Sequence, residues 1–237
     1  MNTFTPVKNL LSDGKTNAKT IKNEIKTFIL YLAPANVSGF NVCPFASKGC
    51  IEGCLNTAGL GIFSNVQNAR INKTKFWALD RLSFYVQLTN EILKIHSKAL
   101  KNNEEIAIRL NGTSDIDHLS LIKKHTGIDF LSDNYKNLFF YDYTKNPNHI
   151  KKYLNTNYKL TFSRSESNDL KVEEVLSLGG NVAVVFNSSN LPATYKGKEV
   201  INGDKTDLRY FDPKNVIVGL YAKGKAKKDL SGFVVNI

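Results

Sequence analysis

The chain has 237 residues, about 42% of them apolar, enough for one sizeable core without demanding a second domain. No apolar run approaches the roughly 20 residues of a membrane helix, and the polar opening MNTFTPVKNLLSDGKTNAKTIKNE lacks the apolar centre of a secretory signal, so a cytosolic protein with no membrane contact is expected. The formal net charge of +11 attracts polyanions such as nucleic acid if it is gathered on one face, but scattered lysines more often mark solvated faces.

In chain order, residues 1–26 read as a polar, lysine-rich arm, and residues 27–237 as a single α/β domain. The stretches FILYL (28–32), IAIRL (106–110), LFFYD (138–142), YKLTF (158–162) and NVAVVF (181–186) are apolar on both faces, as strands of a helix-covered parallel sheet must be. Helices are predicted between them. The longest covers about 68–98, where Ile71, Phe76, Leu79, Phe84, Leu88, Ile92 and Ile95 approximate a 3.6-residue stripe packed with Trp77 and Tyr85. Shorter helices are expected at about 116–125, 147–154 and 168–178, the last stopped by Gly179 and Gly180. Residues 187–207 read as a loop or small hairpin, followed by two more strands, LRYFD and VIVGLYA.

Between the first strand and the long helix lies NVCPFASKGCIEGCLNTAGLG, which carries the chain's three cysteines, Cys43, Cys50 and Cys54. An odd number of cysteines packed into twelve positions is a poor disulfide framework, whereas the intervening Pro44, Gly49 and Gly53 let a loop wrap a small inorganic centre. Thiolates select zinc, copper(I) or iron-sulfur clusters. Structural zinc wants a fourth cysteine or histidine, which His118 would have to supply through the fold. Three cysteines alone fit a four-iron cluster with one iron left open, and unligated reduced thiols are the remaining reading.

In parallel α/β folds ligands bind at the carboxyl ends of strands. Those ends carry dense polar sets here: Asn111, Gly112, Thr113, Ser114 and Asp115; Asp142 to Lys145; Ser163, Arg164, Ser165 and Glu166; Asn187 and Ser188; and Asp212. Helix caps and ordinary polar loops explain any one set, while their coincidence on the cysteine edge suggests a small-molecule pocket.

A cysteine loop after the first strand resembles the radical S-adenosylmethionine enzymes, and that resemblance implies a partial parallel β/α barrel with a [4Fe-4S] cluster whose open iron binds the cofactor. The cysteine spacing departs from that superfamily's usual one, and NGTSD (111–115) stands where its glycine-glycine-glutamate stretch belongs. The resemblance implies that Asn111, Ser114 or Asp115 bonds the cofactor's ammonium, Arg164 its carboxylate, and Ser163 or Asn187 its ribose.

CPFASKGCIEGCLNTAG, AIRLNGTSDI, FYDYTKN, LTFSRSESN, GGNVAVVF and VIVGLYAKGKAKKDLSGFVV together resemble the phage family called gene product 88. That likeness implies a protein made in the cytoplasm of an infected bacterial host, and leaves open a radical enzyme, a cluster- or zinc-braced nucleic-acid-binding protein, a redox sensor or a virion component. No phosphate loop, nucleophile elbow or metalloprotease histidine pair is present.

Overall fold

The computed structural model describes residues 3–16 and 25–237. Its nine strands are β1 (Leu11–Asp13), β2 (Lys26–Leu30), β3 (Ile106–Arg109), β4 (Leu138–Thr144), β5 (Tyr158–Ser163), β6 (Asn181–Phe186), β7 (Thr194–Tyr195), β8 (Lys198–Asn202) and β9 (Ile217–Tyr221). The helices are α1 (Lys48–Glu52), α2 (Ser64–Leu79), α3 (Arg81–Asn102), α4 (His118–Thr126), α5 (Pro147–Tyr153) and α6 (Asp169–Ser177).

The strands form one sheet in the order β1-β2-β3-β4-β5-β6-β9-β8-β7. Strands β2 to β6, β9 and β8 are mutually parallel, while β1 and β7 pair antiparallel at the two edges. The sheet is therefore open, and the expected barrel does not close. Chain-order neighbours from β2 to β6 make each crossover step the same way, and crossovers of one hand then leave their helices on one face. That face carries Ile106, Ile108, Leu138, Phe140 and Tyr158 against Phe84, Tyr85, Leu88 and Ile92 of α3 and Leu119 and Ile122 of α4. Farther along, Phe162, Val182, Val184 and Ile217 meet Val172, Val175 and Leu176 of α6.

Two local expectations need correcting. The stripe expected as one helix over 68–98 is two helices, because Asp80 leaves helical geometry (φ −138°, ψ 73°) and caps α3 by accepting from the Ser83 amide at 3.2 Å. LRYFD is not a strand: Arg209–Phe211 is a 3-10 turn ahead of Pro213, which cannot donate to a ladder. In the 187–207 stretch a hairpin does form from β7 and β8, but β8 also joins the main sheet beside β9. Within the expected 1–26 arm, Leu10 and Leu11 are buried and β1 pairs with β2; residues 17–24 of that arm lie outside the described residues.

The face opposite the helices is covered by the segment 206–212. Leu208 packs on Ala107 and Tyr141, and Tyr210 stacks on Phe139 with ring centroids 4.5 Å apart. An ion pair fixes it there: Arg109 Nη1 lies 2.9 Å from Asp207 Oδ2, both nearly buried, and the guanidinium stands over the Tyr143 ring at 5.0 Å. Burial disfavours the charge on Arg109, yet Asp207 beside it keeps the guanidinium protonated. Stranding one partner of such a pair costs about 3–5 kcal/mol, whereas an exposed pair is worth under about 1 kcal/mol. Asp207→Ala should therefore lower unfolding stability in urea by about 3–5 kcal/mol, and Asp129→Ala, which breaks the exposed Lys123–Asp129 pair, by less than about 1 kcal/mol. Equal losses would mean that Asp207 does not anchor the segment.

Candidate metal centre

Cys43 stands in the loop that follows β2. The loop is closed by backbone bonds to the next one along the sheet: Gly112 N donates to Leu30 O at 3.0 Å and Asp115 N to Val42 O at 2.8 Å. Gly112 is required by space, since a Cβ there would lie 2.5 Å from the Tyr31 ring. The Cys43 sulfur accepts from the Ala35 amide at 3.4 Å, with Ala35 at a left-handed φ of 46°, and donates to Thr113 O at 3.6 Å.

Cys50 lies on α1 and Cys54 just beyond its end. Ser47 caps α1 by accepting from Cys50 N at 3.3 Å, and it donates in turn to Glu166 Oε2 at 2.7 Å. The other oxygen of Glu166 accepts from Gly49 N at 2.8 Å. Burial works against the Glu166 charge, but these two donors hold its carboxyl below the usual carboxylate range. Gly49 also lets the turn press on the C-terminal segment, for a Cβ there would meet Ser231 Oγ at 2.2 Å.

All three thiols are half-buried and unbridged. Burial pushes the Cys43 thiol up to about 12, helped by repulsion from Cys54, Cys50 and Asp115. Cys54 is raised by burial and by Cys50, while Lys145 and Arg70 pull it back. Two cations, Lys145 and Arg70, thus act on Cys54, while Cys43 feels the other two cysteines and Asp115. Arg70 is held there by Asn56 and by the Tyr31 ring, 4.6 Å away, and Lys145 Nζ donates to Ser163 Oγ at 2.9 Å.

Among the described residues, no three His, Cys, Asp or Glu side chains converge closely enough to hold a single metal ion. His118, the histidine considered for zinc, is fully buried on the helix side, its Nδ1 3.1 Å from Tyr85 Oη.

Most of the other strand-end residues are engaged in holding loops. The Asn111 side chain accepts from Ser114 Oγ at 2.8 Å and from Ile116 N at 2.9 Å. Asp115 accepts from Thr144 Oγ1 at 2.7 Å and Lys145 N at 2.8 Å. Arg164 donates to the Gly232 and Phe233 carbonyls and pairs with Asp169 rather than with Glu166 or Asp142. Asn187 accepts from Ile237 N at 3.1 Å, pinning the C-terminus. Sequence reasoning assigned no role to Lys145, Glu166 or Arg70. The first two sit at strand ends and were visible as such; Arg70, inside α2, gave no signal.

A thiol raised to about 12 is ionised in roughly one molecule in ten thousand at pH 8, against about a quarter for an ordinary cysteine. In metal-free, reduced protein at pH 8, iodoacetamide should therefore label Cys43 at least about a hundredfold more slowly than a cysteine peptide, as followed by mass spectrometry. Labelling at the peptide's rate would mean that Cys43 is neither buried nor crowded by the other thiols.

No helix among the described residues is long and apolar enough to cross a membrane. No curated protein and no solved structure matches the chain. A family model described as gene product 88 matches residues 9–237, nearly the whole sequence from the segment before β1 to the last residue. The chain therefore belongs to the gene product 88 family.

Proposed function

We propose that this is an iron-sulfur protein in which Cys43, Cys50 and Cys54 hold a [4Fe-4S] cluster, with one iron left free for a small-molecule ligand. The observation that carries the reading is that the loops after β2, β3, β4 and β5 meet at the cysteine stretch: Cys43 Sγ lies 3.6 Å from Thr113 O, Glu166 bonds Ser47 and Gly49 at the start of the turn bearing Cys50, and Lys145 joins Asp115 to Ser163. A bound cluster supplies one-electron chemistry and an open coordination position. The chain's own groups bind and orient. Glu166 and Ser47 fix the turn bearing Cys50, the Ala35 amide donates to the Cys43 sulfur, and Lys145 and Arg70 offset the charge that appears when Cys54 loses its proton.

S-adenosylmethionine at the open iron is the finer reading, supported by the position of the thiols at the carboxyl ends of parallel strands. Asn111, Ser114 and Asp115 hold the loop that such a ligand would meet, and Lys145, which acts on Cys54, donates to Ser163. On this reading the protein acts as an enzyme in the cytoplasm of an infected bacterium.

The test is iron, sulfide and zinc content, with absorption and electron-resonance spectra, on protein purified without oxygen. About four irons and four sulfides per chain are expected, and Cys50→Ala should bring both to background while its urea midpoint stays close to that of the metal-free parent. A spectrum perturbed by added S-adenosylmethionine supports the finer reading. Stoichiometric zinc without iron, or unchanged iron in Cys50→Ala, would sink the cluster.

A further inference from the structure

Six large apolar side chains, Phe45, Ile51, Leu55, Leu60, Ile62 and Phe63, lie within nineteen consecutive residues and are each 43–58% exposed. Single exposed apolar residues are ordinary, but a cluster of this size on an ordered surface marks a contact. The stretch is firmly built. Thr57 Oγ1 donates to Cys54 O at 2.7 Å, Gly61 N to Ala58 O at 3.1 Å, and Gln67 Nε2 to Gly61 O at 2.9 Å. A Cβ at Gly61 would lie 2.8 Å from Asn56 O, so the second turn is folded tightly on the first.

A second loop stands beside it, closed on α1 where glycines leave room. A Cβ at Gly53 would lie 3.2 Å from Ala226 Cβ and one at Gly49 2.7 Å from Phe233 Cβ, while Lys225 N donates to Thr57 Oγ1 at 3.4 Å. Between Ala226 and Phe233 this loop raises Leu230, which is 100% exposed, beside the exposed Lys225, Lys227 and Lys228. Lys48 extends from α1 with its side chain 86% exposed. Two acids share the face and both are engaged: Glu52 lies 4.0 Å from Lys48, and Asp229 accepts from Ser231 Oγ at 2.6 Å and Val234 N at 2.9 Å. The two loops thus present apolar side chains edged by lysines.

The residue types decide between occupants. Protein interfaces favour Tyr, Trp, Met and Arg and are poor in lysine, whereas residues 45–63 and 224–233 carry leucine, isoleucine, phenylalanine and lysine and none of those four. Stacked bases need aromatic platforms, and four of the six side chains in the first loop are aliphatic. A second copy would set lysine against lysine. Lipid suits both sets: aliphatic side chains enter the acyl boundary without seeking hydrogen bonds, and lysines bury their stems while the ammonium stays among anionic headgroups. We propose that this two-loop face binds the surface of an anionic lipid bilayer, with Leu230, Leu55 and Ile62 at the acyl boundary and Lys48, Lys225, Lys227 and Lys228 among the phosphates. Such a contact needs no spanning helix, and it is independent of what the thiols hold.

Sedimentation of the full chain with phosphatidylcholine vesicles, either pure or containing about one-third phosphatidylglycerol, tests this. The chain should bind the anionic vesicles at least about tenfold more tightly than the neutral ones, and less tightly as salt rises. Leu55→Ser with Ile62→Ser removes apolar anchors and Lys225→Gln with Lys228→Gln removes charge; each pair should weaken binding at least about tenfold with the urea midpoint unchanged, since all four positions are exposed. Leu230→Trp gives an independent reading at a site wholly in water: its emission should shift to the blue on anionic vesicles and not on neutral ones, over a constant background from the buried Trp77. Equal binding to both vesicles, binding to neither, parental binding in either double variant, or no blue shift would overturn the lipid face. So would double variants that bind vesicles like the parent but lose self-association or single-stranded DNA, which would assign the face to a second copy or to nucleic acid.

Discussion

Asp142 is a fully buried carboxyl in the middle of the sheet, where burial pushes its pKa up to about 7 and a charge without donors costs several kcal/mol. The surrounding structure is arranged to supply them. Strand β3 ends at Arg109, and the next two amides, Leu110 and Asn111, turn out of the ladder and donate to Asp142 at 3.1 and 2.8 Å. Tyr158 Oη, at the start of β5, donates at 2.8 Å, and Arg109 Nε lies 3.8 Å away. One carboxylate on β4 thereby fixes where β3 stops and how β5 sits beside it. The loop NGTSD leaves from that fixed point and carries Thr113 to the Cys43 sulfur and Asp115 to Lys145.

The same logic separates the two kinds of polar group at this edge. Asn111, Asp115, Arg164 and Glu166 have geometrically satisfied partners within the chain and act as joints between loops. The thiols are different. Cys43 is bonded only weakly, through sulfur, and burial with mutual repulsion keeps it protonated. Burial and crowding favour the thiol form, so a group that binds them as thiolates must displace protons held more tightly than usual. A group that binds thiolates relieves their repulsion and releases their protons, so its affinity must rise with pH.

The central strands were legible because each is apolar at consecutive positions, a pattern that helices covering one face and a segment covering the other both require. The apolar stripe of α2 and α3 was legible too, but the break between them depends on one cap, Asp80, in a stripe that continues through it. LRYFD has the composition of a strand, and its turn is decided by Asp207, which reaches Arg109 ninety-eight positions away in sequence. Whether the sheet closes is likewise non-local. It depends on β1 and on the β7–β8 hairpin occupying the edges, and neither three residues at the N-terminus nor a polar hairpin announces that role. At the candidate centre, the cysteines were visible from spacing and strand position. Arg70 was not, because a helical arginine looks the same whether it faces solvent or a ring and a thiol.

The covering of both sheet faces bears on how anything reaches the centre. Helices α3, α4 and α6 pack on one face, and the segment 206–212 closes over the middle of the other with the Arg109–Asp207 pair beneath it. A ligand entering from that second face would have to displace Leu208 and expose a buried ion pair. The cysteine stretch, by contrast, keeps its thiols half-buried and its apolar side chains in water. A core would have drawn those side chains inward, since burying one stabilises by roughly 1.5–3 kcal/mol. They stay outside because the turns bearing them are folded around Gly49, Gly53 and Gly61, each pressed against its own neighbour. The constraint that shapes the thiol loop is therefore the one that keeps these apolar side chains in water.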